Sequence, residues 1–521
     1  MQPQPEWKPR HSPWLIALGV MMATFMEVLD TSIANIALPH IAGSLSATPE
    51  EATWVLTSYL VSNAIVLPTT GWLANHFGRK RVFITCIVMF TLSSALCGLA
   101  WSLPTLIFAR ILQGIGGGAM VPIAQSIMLE SFPRQKRGAA MAIFAQGVVV
   151  APILGPTLGG WITDSYSWRW IFYINLPVGI LAILAAQWLV EDPPYIQRNK
   201  SATIDYVGFG LLAVWLATLQ ILLDKGQEAD WFGAVWVRWF ALASILSFAG
   251  FIYWQLKAKH PLVDLSVFKN RNFTIGLILM TTLGAILYGT TAQIPLFLQT
   301  LMGYPALQSG YAMSPRGIAA FITTFFVGRI VGKVRAKWML CVGFTLLAVS
   351  SFMLSNLNLQ VAQINVIWPS IVNGIAISFI FVPLTTATMS QLAQQQLGNA
   401  TGLYNLMRNL GGSIGIAFVT TMLARGAQVH QALMVGHLAP DNPAFRQQFD
   451  SAKHLLAHHG DSVTASRQAY NAVYSLLDQQ AHLLAFVDNF FIFGAMAVLT
   501  MPLIFLFKRV TAPTKPMPGA H

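Results

Sequence analysis

Charge is what this sequence has least of. Only 10% of its 521 residues are Asp, Glu, Lys or Arg, while 55% are hydrophobic; soluble domains carry about 25% charged residues. So few charges cannot cover a globular surface in water, so a soluble enzyme is excluded. Cysteine is scarce as well. Cys86 and Cys97 fall on one predicted helix, about 16 Å apart at 1.5 Å per residue, too far to bridge, and Cys341 stands alone. No disulfide framework and no zinc spacing exists. There is no GxxxxGK[ST] phosphate loop, which disfavours ATP drive, and no hydrolytic carboxylate pair or catalytic triad outside the apolar runs. The first apolar run lacks a small-residue cleavage site, so it reads as a retained helix and not as a signal peptide.

What the chain has is length after length of apolar sequence. Fourteen stretches can each supply the roughly 20 residues of a spanning helix: 15–37, 54–74, 82–100, 104–129, 138–162, 169–190, 205–223, 232–254, 273–299, 310–330, 338–356, 363–389, 400–424 and 485–507. Thr48-Pro49-Glu50-Glu51 opens the second with a capping box, which makes the two glutamates structural. With the N-terminus in the cytoplasm, 21 of the 31 Lys and Arg residues fall on the inner side, and the outer loops are bare or acidic. The net charge of +12 therefore reflects membrane topology and not an affinity for nucleic acid.

A weak repeat organises the chain. GWLANHFGRKR (71–81) is echoed by GRIVGKVRAKW (328–338), and QGIGGGAMVP (113–122) by NGIAISFIFVP (373–383), at offsets near 260 residues. Two six-helix halves with two helices inserted between them fit this spacing, and parallel repeats point to a transporter with its site between the halves. The expected organisation is an all-α polytopic protein: a cytoplasmic N-terminus 1–14, a first half 15–190, a linker with two extra helices 191–272, a second half 273–507, and a cytoplasmic tail 508–521. The segment 425–484, rich in Gln, Ala and His, reads as a large outer loop with helical periodicity and as a docking surface. Its His454, His458 and His459 read as a solvated helical face in preference to a metal site.

Four motifs carry a family resemblance. LDTSIANIALP (29–39), GWLANHFGRKR (71–81), LIFARILQGIGGG (106–118) and APILGPTLGG (151–160) occur in order on the first, second, fourth and fifth predicted helices. Together they make the chain resemble the fourteen-span drug:proton antiporter branch of the major facilitator superfamily, of EmrB type. The resemblance implies proton-driven efflux of amphipathic drugs across a bacterial inner membrane, with no cofactor beyond the proton gradient. It also implies a periplasmic adaptor and an outer-membrane channel as partners. Export of a specific fatty acid or metabolite is the nearest alternative, and a non-transporting sensor or scaffold is the alternative of a different class.

Two acids stand out within the first helix. Glu27 and Asp30 are three residues apart and share a face. Asp30 lies about 10 Å from the outer end of its helix, and Arg110 about 9 Å from the outer end of the fourth, so the two meet at one depth. A carboxylate that alternates between a charge-paired and a desolvated state can take and release a proton, which assigns proton coupling to Asp30, Arg110 and Glu27. Asn35, Gln113, Gly117, Tyr288, Gln293 and Arg408 are expected to line the substrate cavity. Gly71, Asn75, Gly78 and Arg79, with Gly155, Pro156, Gly159 and Gly160, are expected to serve gating and conformational change. Asn75 departs from the resembled motif, which usually has an aspartate there. An asparagine cannot form that motif's ion pair, so the lock on the cytoplasmic gate is expected to be weaker or built otherwise.

Overall fold

The computed structural model describes residues 9–193, 205–259, 261–436, 438–439, 441–457 and 462–508. His458, His459 and the basic residues Lys8, Arg198, Lys200, Arg509 and Lys515 lie outside this set. Every regular element among the described residues is helical. Helices of eight residues or more are α1 (Pro13–Ser44), α2 (Trp54–Val66), α3 (Thr70–Phe77), α4 (Arg79–Leu99), α5 (Leu103–Gly118), α6 (Met120–Ser131), α7 (Arg137–Ser165) and α8 (Asn175–Leu189). They continue with α9 (Tyr206–Lys225), α10 (Val235–Lys257), α11 (Arg271–Thr300), α12 (Ala306–Ile330), α13 (Ala336–Leu354), α14 (Ile364–Met389), α15 (Leu397–Val435), α16 (Pro443–Ala457) and α17 (Ser462–Ile504).

By length and composition, eleven helices among the described residues can cross a membrane, or twelve if the bent α7 counts as one. Two of the fourteen expected stretches are not among them, for a visible reason. The second is split by a 3-10 turn at Leu67–Thr69, where Pro68 cannot donate a backbone hydrogen bond. The tenth, within α12, carries Arg316, Arg329 and an internal Pro315. Local chemistry sets several boundaries. The Thr48 amide donates to Glu51 Oε2 at 2.9 Å and the Glu51 amide to Thr48 Oγ1 at 3.2 Å, so the two residues cap each other reciprocally. Ser102 and Thr105 cap α5 in the same way.

The helices assemble as two bundles. In the first, α1 packs on α7 and α8, α2 on α5, and α4 on α5; in the second, α11 packs on α15, α12 on α14, and α13 on α14 and α17. The bundles meet where α7 runs along α12 and where α3 and α6 cross α15. The inserted hairpin α9–α10 sits outside both, with α9 against α2 and α15. Polar side chains fasten α9 to each half: Gln220 Nε2 donates to Ser413 Oγ at 2.8 Å, Trp231 Nε1 just beyond α9 donates to Thr421 Oγ1 at 3.0 Å, and Asp224 bonds Thr57 of α2. A cavity of about 510 Å³ lies beside this hairpin, lined by Glu51, Trp54, Ile221, Lys225, Glu228 and Trp236 among others.

The segment 425–484, expected as a large outer loop with helical periodicity, is largely helical among the described residues. α15 runs on to Val435, α16 covers Pro443–Ala457, and α17 begins at Ser462. Gln, Ala, Leu and Arg are adequate helix formers, so an apolar span continues as a polar helix without a break. Phe445 and Phe449 of α16 stack against Tyr470 of α17, and His430 pairs with Asp488 at 2.7 Å. The expected helical periodicity is present, but the flanking helices run past the apolar stretches 400–424 and 485–507, because hydropathy detects where a helix stops being greasy, not where it ends.

Candidate functional site

Asp30 sits at the centre of a buried polar cluster. It is 2% exposed and Arg110 is 0% exposed. Arg110 Nη1 donates to Asp30 Oδ2 at 2.6 Å, while Gln113 Nε2 at 3.0 Å and Asn175 Nδ2 at 2.7 Å both donate to Oδ1. Arg110 Nε also donates to the Val55 carbonyl at 3.1 Å and Nη1 to Gln113 Oε1 at 2.8 Å, while its Nη2 is buried without a hydrogen-bond partner among the described residues. Its guanidinium carbon lies 4.3 Å from the centre of the Tyr59 ring. A buried ion pair is tolerated when further hydrogen bonds satisfy the remaining lone pairs and protons, and this one meets that condition at both carboxylate oxygens.

Glu27, one turn earlier on α1, is held differently. Its Oε1 accepts from Tyr59 Oη at 3.0 Å and from Asn63 Nδ2 at 3.1 Å, and both donors are uncharged. Arg408 of α15 acts on it electrostatically from the other half. Gly117 makes room for this arrangement, since a Cβ there would stand 2.7 Å from Tyr59 Oη and 3.4 Å from Glu27 Cγ. The two acids share a helix face and almost nothing else: one is locked by three donors, the other rests on a phenol and an amide.

The remaining expected cavity residues divide. Gln113 and Gly117 belong to the cluster, and Arg408 is buried and acts on Glu27 electrostatically. Tyr288 is half-buried against Gly412. Asn35 is exposed. Gln293 is fully buried and donates to the Phe486 carbonyl at 2.8 Å, so it joins α11 to α17 and does not face the acids. Reasoning from charge missed Tyr59, Asn63 and Asn175. They are uncharged residues in apolar runs, and their only signal is that each places an amide or phenol where a leucine would pack.

The sequence profile of the Major Facilitator Superfamily matches residues 20–416. The chain belongs to the major facilitator superfamily. Its relatives within this transporter family include the multidrug export protein EmrB of Escherichia coli K12, 36% identical over 85% of this chain and 86% of that one. The fatty acid resistance protein FarB of Neisseria gonorrhoeae is 35% identical over 95% of this chain and 96% of that one. Among solved structures, the human organic anion transporter MFSD10 superposes with a TM-score of 0.61 at 12% identity, over 95% of this chain and 100% of that one. The proton:xylose symporter XylE gives 0.59 at 16% identity, over 95% and 96%. At such identities these two show the fold alone.

In this superfamily member the glycine motifs mark close helix approaches. Gly71 of α3 faces Asn399 of α15, whose Cα would lie 2.6 Å from a Cβ at that position. Gly78 has φ +92°, a left-handed conformation that glycine adopts at no steric cost. Arg79, beside it, forms an ion pair with Glu130, both buried. Asn75 is exposed. On α7, a Cβ at Gly155 would stand 2.3 Å from Ser32 Oγ, and one at Gly159 would stand 3.2 Å from Ile33 Cγ2. Gly160 has open space around it and is not part of that stripe. The Pro156 side chain is outside the described residues, but α7 bends by 41° between Pro152 and Thr157. Gly155→Leu would force α7 off α1 beside Asp30. Loss of transport or a proton leak is the expected outcome in proteoliposomes carrying an internal pH dye. Normal flux in a tight vesicle would show that the contact is dispensable.

Proposed function

We propose that this transporter is a proton-driven exporter of amphipathic small molecules, working by alternating access in the inner membrane of a bacterium. Fourteen spans with both termini in the cytoplasm are part of the reading. It counts α2–α3 and α12 as spans despite their polar residues, and it rests on the Lys and Arg asymmetry. The observation that carries the function is the pair of acids at mid-helix, held in opposite ways. Asp30, held by Arg110, Gln113 and Asn175, orders α1, α5 and α8. Glu27, on neutral donors and acted on electrostatically by Arg408 of the other half, is the group that takes the proton. When the halves rock, the distance from Glu27 to Arg408 changes, and with it the stability of the Glu27 charge. The decisive experiment is a transport assay with purified protein in vesicles under an imposed pH gradient. Absence of gradient-driven drug movement would overturn the reading.

The helical extension of α15, α16 and α17 is the proposed docking element for a periplasmic adaptor that leads to an outer-membrane channel. It exposes Leu433, Leu455, Tyr470 and Tyr474 among polar neighbours, the composition of a non-obligate contact. Replacing 430–480 with a short Gly/Ser linker is expected to spare transport in vesicles and to abolish drug resistance in cells. Full cellular resistance, or unchanged adaptor co-purification, would count against the docking role. Export of a fatty acid or metabolite stands as the second reading, because a relative of equal similarity is named for fatty acid resistance.

A further inference from the structure

Two buried arginines of the bundle are ion-paired, Arg110 with Asp30 and Arg79 with Glu130. Arg408 forms no ion pair among the described residues but acts electrostatically on Glu27. Arg316 of α12 does neither. It is 3% exposed, its Nη1 donates to Thr291 Oγ1 of α11 at 2.9 Å, and its Nη2 is buried with no hydrogen-bond partner. No acid among the described residues pairs with it, and burial alone, unrelieved by any charged neighbour, acts on its guanidinium.

Its depth can be read from helix register. α7 and α12 run antiparallel, with Thr157 beside Gly310 and Gln146 donating to the Phe321 carbonyl. Arg316 therefore lies level with Ala151 and Pro152. The Pro152 carbonyl accepts from Ser32 Oγ at 3.1 Å, two residues after Asp30. The lone cation is thus in the same layer as Asp30 and Glu27, but in the other half. One turn before Thr291 on α11 stands the half-buried Tyr288, packed on Gly412 one turn after Arg408.

From this we infer that Arg316 anchors an anion-binding site in the C-terminal half, which takes the anionic head group, a carboxylate above all, of an amphiphile being exported. The inference rests on the export reading and narrows its substrate class. A charge held at this depth without a counter-ion is strongly unfavourable, so a protein that keeps one there needs an anion to arrive. Guanidinium suits that task because its planar fork can bind both oxygens of a carboxylate. Thr291 fixes one arm and leaves the other free. The labour is divided between the halves: the N-terminal half carries the acid that takes the proton, and the C-terminal half carries the cation that reads the cargo.

The test uses the full chain in lipid nanodiscs, with submicellar dodecanoate, dodecanol, dodecyltrimethylammonium and chloride as probes. Dodecanoate alone is expected to raise the thermal midpoint of the wild type. Arg316→Met removes the unpaired charge and keeps the bulk, so it is expected to raise the midpoint of ligand-free protein and to weaken dodecanoate binding at least tenfold. Arg316→Lys keeps the charge but loses the fork and is expected to fall between. An Arg316→Met protein that binds dodecanoate like the wild type would overturn the site. So would one that melts lower without ligand, because the arginine would then be structural. Equal stabilisation by chloride would reduce the site to one for inorganic anions and also overturn the proposal. These binding results do not depend on proton coupling, so failure of pH-driven transport in wild-type vesicles would sink the export reading separately.

Discussion

Glu27→Gln is expected to abolish pH-driven accumulation of substrate while leaving substrate exchange at equal pH intact. Glutamine is close in shape to the protonated acid and can still accept from Tyr59 and Asn63, so the packing around Tyr59, Asn63 and Gly117 survives. The variant is fixed in one charge state, so a proton gradient has nothing to act on. Exchange of labelled for unlabelled substrate needs no net proton movement and continues. Asp30→Asn should behave differently. It strips Arg110 of its charge partner inside a cluster that is almost wholly buried. Breaking one side of a buried pair costs about 3–5 kcal/mol, so a lower thermal midpoint and loss of both exchange and accumulation are expected. Vesicle flux under gradient and exchange conditions, read beside a melting curve, separates the two acids. Wild-type accumulation by Glu27→Gln would remove it from the proton path. Exchange without accumulation in Asp30→Asn would move the proton to Asp30.

Gly71→Leu is expected to stop turnover with the protein still folded and inserted. The Cα, N and Cβ atoms of Asn399 would lie 2.6–2.9 Å from a Cβ at residue 71, and backbone atoms cannot give way as a flexible side-chain tip can. Two further contacts join the halves at the same end, Ser126 to Thr401 at 2.8 Å and Asn405 to Gln125 at 2.6 Å. A leucine holds α3 off α15 and keeps this end from closing. Cysteine accessibility at Ser126 and Thr401 checks the result: labelling should rise in Gly71→Leu, and unchanged labelling with normal transport would show that the approach is not needed for the cycle. Gly71→Ala places a single carbon in the same space and should show the same defect in weaker form.

Much of this protein could be read from its sequence. Apolar run length and Lys and Arg placement describe a polytopic bundle because a membrane imposes one simple rule on every span: its backbone must be satisfied within the helix. The matched depth of Asp30 and Arg110 followed from 1.5 Å per residue along two helices running in opposite directions. The capping box at Thr48 and the stripe of Gly155 and Gly159 were legible because they are local patterns in the chain. Other features were decided only by tertiary structure. That Asn175 completes the shell of Asp30, that Tyr59 and Asn63 hold Glu27, and that Gln293 turns toward α17 depend on how helices far apart in sequence rotate against one another. Uncharged polar residues leave that rotation undetermined, since each is tolerated in a span whichever neighbour it finds. Arg316 shows the same limit in the other direction. In the sequence it is an arginine within the tenth apolar stretch, and only the packed structure reveals that no acid among the described residues comes to meet it.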